Sequence, residues 1–172
     1  LQQRLAENPR DAAALAELAQ VQLDRKNYAE ARRRADAALA VEPKNQLAHY
    51  VRARLHLLVG ENREALERLT QNLDRQRPQE NLLALLAGLK LRSEDFAGAA
   101  ELYELGSSAY PGSDKWLKSL ATVYLKSEND EKLRPILKRL AEADPDELAV
   151  RMKLAQLAAA RQDWPAAERW SR

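Results

Sequence analysis

His49 and His56 are the only histidines of this 172-residue chain, and it has no cysteine. They stand seven positions apart. On a helix that spacing is about 10.5 Å of rise, too far for two ligands of one metal. Without cysteine there are no disulfides, thiolate metal sites or thiol nucleophiles. Two such histidines supply no base paired with a nucleophile. Carboxylates are plentiful, and Asp144-Pro145-Asp146-Glu147 has the look of a loop metal site. It lacks the alternating ligands and central glycine of a calcium loop, and reads as a turn ending in a helix N-cap. Five scattered glycines (Gly60, Gly88, Gly98, Gly106 and Gly112) build no phosphate-binding loop. The expectation is a chain with no catalytic residues, no metal and no cofactor.

The elements that carry these residues are helices. Alanine (31) and leucine (30) make up about a third of the chain, whereas Val, Ile and Thr together number 9. Sheets need β-branched residues on their pleated faces; Ala, Leu, Arg, Glu and Gln lose little freedom in a helix. Lys plus Arg is 28 against 26 for Asp plus Glu. A net charge of +2 with no basic block argues against nucleic acid as the partner. The apolar run Leu82–Ala87 is far shorter than the roughly 20 residues that span a membrane. Arginine outnumbers lysine 19 to 9, which together with the alanine excess suggests a GC-rich, bacterial source. The pattern is already helical at Leu1 and still helical at Trp170-Ser171-Arg172, which reads as a segment of a longer protein. The compartment stays open.

Proline reveals a period. Pro9, Pro43, Pro111 and Pro145 are spaced by multiples of 34, with Pro78 one residue late. Stepping by 34 gives Ala19, Ala53, Ala87, Ala121 and Ala155, then Ala31, Ala65, Ala99, Leu133 and Ala167, then Leu23, Leu57, Leu91, Leu125 and Ala159. Small residues suit close helix contacts and leucines fill the space between helices. A further column, Tyr28, Asn62, Phe96, Asp130 and Trp164, is mostly aromatic and assigns Trp164 to the core. First helices are expected near 12–25, 45–59, 79–92, 113–126 and 146–160. Second helices are expected near 28–41, 62–76, 95–109, 129–143 and 163–172. Pro135 falls early in one of them, where it would bend the helix. Trp170 would pack on a following helix. Trp116 either anchors a partner or packs across the turn onto Tyr110.

This pattern resembles the tetratricopeptide repeat (TPR) over essentially the whole chain. The resemblance implies an all-α helical-hairpin solenoid, a right-handed superhelix of about five repeats forming a single array over 1–172. Residues 1–9 end a preceding helix; 10–43, 44–78, 79–111 and 112–145 are repeats, and 146–172 is a truncated one. First helices then line a concave groove. The groove columns are Ala13, Ala16 and Gln20; Leu47, Tyr50, Arg54 and Leu58; Asn81, Ala84, Gly88 and Arg92. They continue with Lys115, Lys118, Thr122 and Lys126, then Ala149, Met152, Gln156 and Ala160. The Lys–Asn pairs with which TPR co-chaperones clamp a terminal carboxylate are missing, since the corresponding pairs are Ala16/Gln20, Tyr50/Arg54, Ala84/Gly88, Lys118/Thr122 and Met152/Gln156.

The resemblance implies a non-catalytic scaffold that holds a peptide or helix of a partner protein. Arg54, Arg92, Lys115, Lys118 and Lys126 would steer an acidic segment, although five such charges also suit an ordinary solvated helix face. The partner-binding residues are expected to be Tyr50, Arg54, Asn81, Arg92, Lys115, Lys118, Thr122, Lys126, Met152 and Gln156. The alternatives are a spacer or assembly module of a larger bacterial cell-envelope or secretion protein, or a TPR region appended to an enzyme. Exposed repeat ends would also permit self-association.

Overall fold

The computed structural model describes residues 1–171, apart from the side chain of Gln2. These residues form eleven helices and no strand. They are α1 (Gln2–Glu7), α2 (Ala12–Asp24), α3 (Tyr28–Val41), α4 (Gln46–Leu58), α5 (Asn62–Gln71) and α6 (Glu80–Arg92). Then follow α7 (Phe96–Ala109), α8 (Lys115–Lys126), α9 (Asp130–Ala143), α10 (Leu148–Ala160) and α11 (Trp164–Ser171). The chain divides into two compact units, Leu1–Leu89 and Lys90–Arg172. In the first, α2 packs on α3 and α4, α3 on α4, and α4 on α5. In the second, each of α7 to α10 packs on the helix that follows it.

One turn chemistry ends α2, α4, α6, α8 and α10. Lys26, Gly60, Glu94, Glu128 and Gln162, spaced by 34, all have positive φ. The next residue's N–H reaches back five positions, from Asn27 to Gln22, Glu61 to His56, Asp95 to Lys90, Asn129 to Tyr124 and Asp163 to Ala158. This is the 6→1 bond of a Schellman cap, which satisfies a carbonyl the helix end would leave bare. Glycine occupies the left-handed site only at Gly60; the other four residues hold it against a cost of about 1–2 kcal/mol each. The following helix is capped at once where Asp95 accepts from Gly98 N and Asn129 from Lys132 N.

The alanine columns lie where helices meet. Ala19, Ala53, Ala87, Ala31, Ala65 and Ala99 are wholly buried, as is Leu133. Trp164 departs from the reading of its column and is 65% exposed. The column marks the first residue of each second helix, at the tip of the hairpin, where Tyr28 is exposed too. α5 stops at Gln71, short of the expected residue 76. Gln46 holds the loop that replaces its last turn: Oε1 accepts from Asp74 N and Gln79 N, and Nε2 donates to Arg77 O. The extra residue before Pro78 is absorbed here. α9 runs on through Pro135, which sits on its exposed face where water can serve the carbonyl left unpaired.

Candidate functional site

On α8, Lys115, Lys118, Thr122 and Lys126 follow helical spacing and all four are exposed. On α10, Met152 and Gln156 are exposed one turn apart, with Ala149 and Ala160 on the same side. Lys118 joins the two helices through an ion pair to Glu147, the α10 N-cap, at 3.1 Å. That carboxylate raises the Lys118 pKa above the ordinary lysine value. Lys115 lies 5.0 Å above the Trp116 ring. Two residues escaped the column reading. Glu147 pairs with Lys118, and Leu148, 61% exposed, extends the Met152–Gln156 stripe by one turn. The i, i+4 spacing of Leu148 and Met152 is the signal that could have found it.

In the first unit the same columns are more closed. Ala16 is fully buried and Tyr50 is 8% exposed. Arg54 is half-buried; its Nη1 donates to the Tyr50 hydroxyl at 2.8 Å and its guanidinium carbon lies 5.8 Å from the ring centre. Tyr50 thus fixes the direction of Arg54 more than it offers a surface of its own. Asn81 is half-buried on α6. Arg92, at the end of that helix, belongs to the second unit and is exposed.

Trp116 packs across the turn. It is 1% exposed, stacked on Tyr110 (5.9 Å between ring centres, 14° between planes) and tilted against Tyr103 at 6.2 Å. Its position excludes the alternative of a surface anchor. Nearby, the Tyr124 hydroxyl donates to Glu104 at 2.9 Å, and burial together with that carboxylate pushes its pKa up to about 12.

The histidines are structural. Nε2 of His49 lies 2.8 Å from Pro43 O and must donate to it, so Nδ1 accepts from Arg68 Nη1 at 3.3 Å. His56 Nδ1 meets Glu61 across the α4–α5 turn. No three His, Asp or Glu side chains among the described residues converge to hold a metal. Burial lowers the His49 pKa below 6.5, with the Pro43 carbonyl opposing and the Arg68 charge assisting. The unfolded chain therefore binds more protons below about pH 6.5, and stability present above that value is lost as pH falls towards the lowered one. The urea midpoint should drop between about pH 7.5 and pH 5, before carboxylates titrate, and His49→Gln should flatten that drop. Equal slopes in the two proteins would exclude His49 as the source.

Paired helices of this length, joined by one repeated cap, define a helical-hairpin repeat protein. Residues 1–55 match the tetratricopeptide repeat family, and the whole chain has the tetratricopeptide-type fold. No curated protein sequence matches the chain. Among solved structures, PilF of Pseudomonas aeruginosa is similar at TM-score 0.69 and 19% identity, over 95% of this chain and 75% of that one. MamA of Desulfovibrio magneticus RS-1, from its residue 41 to the end, gives TM-score 0.65 and 18% identity over 92% and 90%. YrrB, described as a TPR protein with an unusual peptide-binding site, gives TM-score 0.72 and 14% identity over 98% and 87%. This fold is, in general, that of a protein–protein interaction scaffold, typically non-catalytic. No described helix is long and apolar enough to cross a membrane.

Proposed function

We propose that this chain holds a peptide or helix of a partner protein along its first helices, and that the partner segment is acidic with apolar residues between its charges. The observation that carries this reading is the exposed face of the second unit. Leu148 and Met152, 61% and 52% exposed, lie on α10, and Lys115, Lys118 and Lys126 lie on α8. Isolated surface apolar residues are ordinary, but two on one stripe, tied by an ion pair to a row of cations, suit an amphipathic acidic ligand. Thr122 and Gln156 add hydrogen-bonding groups to the same faces, and Arg92 adds a further exposed charge. In the first unit, Arg54 braced on Tyr50, with Asn81, is the corresponding polar contact. The description of YrrB as peptide-binding supports the mode.

Selection of random 12-residue peptides on the immobilised chain tests it. The reading expects Asp/Glu-rich sequences with interspersed Leu or Phe. Reversing Lys115, Lys118 and Lys126 together to Glu should weaken the best binder about tenfold or more, equivalent to 1.4 kcal/mol. Selected peptides without acidic enrichment, or affinity unchanged by the reversal, would sink it.

A further inference from the structure

A second feature of the second unit lies apart from the α8 and α10 row. Between α9, α10 and α11 is a pocket of about 340 Å³. Four cations line it, Arg134, Lys138, Arg161 and Arg169, against one acid, Asp163. Asp163 is committed elsewhere, since its carboxylate caps α11 by accepting from Ala166 N. Arg134 is the unusual member. Its Nε and Nη2 are both buried and neither has a hydrogen-bond partner. These two N–H groups share one edge of the guanidinium, the edge that grips two oxygens of one carboxylate. Buried donors are ordinarily satisfied, so such a pair is costly unless something supplies the acceptor.

The repeat shows what this site lacks. One repeat earlier, the pocket between α7, α8 and α9 contains acids of its own, Glu101 and Glu104; Glu104 accepts from the Tyr124 hydroxyl, and Lys132 lies 5.8 Å from that ring. Thirty-four residues on, Lys138 stands in place of Glu104 and Ala158 in place of Tyr124. The substitution removes the built-in carboxylate and inverts the charge. Leu154, Ala158 and Trp170 leave an apolar wall beside the cations.

We infer that this pocket is a second binding site, one that receives a carboxylate from an acidic protein segment. Arg134, half-buried as a whole, turns its closed Nε/Nη2 edge out to meet the two oxygens, the exposed Lys138 adds a second cation, and the methylene stem lies along Leu154, Ala158 and Trp170. The apolar wall favours a side-chain carboxylate on a carbon stem over inorganic phosphate, which presents oxygen on every side. The site does not depend on the α8–α10 row, so the two readings can fail separately.

The test uses the whole chain and ¹H–¹⁵N spectra that resolve the Arg134 Nε–H and Trp170 indole N–H resonances. The probe is the peptide acetyl-Leu-Glu-Leu-Glu-amide. Its Leu-Gln-Leu-Gln counterpart, the free-acid form and inorganic phosphate are the comparisons. Saturable shifts of both resonances are expected with the acidic peptide and not with the neutral one. A tighter free acid would assign the pocket to a chain-terminal carboxylate, and an equal one to the side chain. Lys138→Glu, at an exposed position, should weaken binding at least tenfold with the circular dichroism spectrum unchanged, and Arg134→Gln should abolish it. The Lys115/Lys118/Lys126 reversal should leave these shifts in place. Equal response to the neutral peptide, tighter binding of phosphate, or indifference to both pocket substitutions would overturn the assignment. So would the absence of any saturable shift.

Discussion

Trp116→Ala should lower the unfolding free energy by about 3–5 kcal/mol, the cost of emptying a buried aromatic site that cannot collapse. The wall around it is rigid for reasons visible in the sequence. Trp116 is the second residue of α8, and Tyr110 lies just across the Pro111–Gly112 turn. Tyr103 comes from the facing side of α7. Two aromatic contacts beyond simple area burial add about 0.5–1.5 kcal/mol each, and Lys115 loses the ring it lies over. A domain of ordinary stability has about 5–15 kcal/mol to lose, so this one change removes a large fraction. Trp116→Phe separates packing from polarity. The indole N–H is buried without a partner, so removing it relieves a desolvation penalty while most of the ring stays. The phenylalanine variant should therefore keep most of the stability that alanine loses. Urea denaturation followed by circular dichroism measures both. The native emission of Trp116, the one tryptophan of three that is fully buried, should disappear in both variants. A Trp116→Ala protein within 1 kcal/mol of the parent would show that the cluster is not packed as described.

What sequence could and could not disclose follows from which interactions repeat. The 34-residue columns placed the helices nearly to the residue, because each column is the same contact made again. The buried alanines and the five left-handed turn residues recur at that period. What the columns could not disclose depends on unlike neighbours. The early end of α5 is set by Gln46, remote in sequence from the loop that it ties down. Trp164 shares a column with Phe96, yet no described helix covers it, and an aromatic residue type alone does not bury a side chain. Of the candidate site, the α8 stripe was legible as spacing of lysines. The pairing of Lys118 with Glu147 was not, because it needs the approach of an N-cap from the next repeat. The Arg134 pocket was hidden for the same reason: its meaning lies in the replacement of Glu104 and Tyr124 by Lys138 and Ala158, a difference between repeats and not a shared feature.

Gly106→Ala should destabilise by about 2 kcal/mol, although alanine is the better helix former by about 1 kcal/mol. A Cβ at Gly106 would stand 2.1 Å from Trp116 Cε3 and 2.3 Å from Cδ2, and the ring is held from behind by Tyr110. The two residues have traded volume. Pairs at the same spacing of ten in the other repeats are Ala38 with Ala48, Asn72 with Leu82 and Leu140 with Val150, and all but the half-buried Asn72 are buried. Only here does the smallest residue face the largest. Gly88 supplies the contrast, since a Cβ there meets nothing within 4 Å and Gly88→Ala should stabilise by the propensity term alone. The decisive measurement is the double-mutant cycle. In a Trp116→Leu background the clash is gone, so Gly106→Ala should change sign and become stabilising. The coupling between the two sites would then be about 2–3 kcal/mol, the size found for residues in direct contact. Additive effects would mean that Gly106 is tolerated for its backbone and not kept for the ring. A reversal of sign would show that one glycine, unremarkable in its own column, is what lets this repeat accommodate its tryptophan.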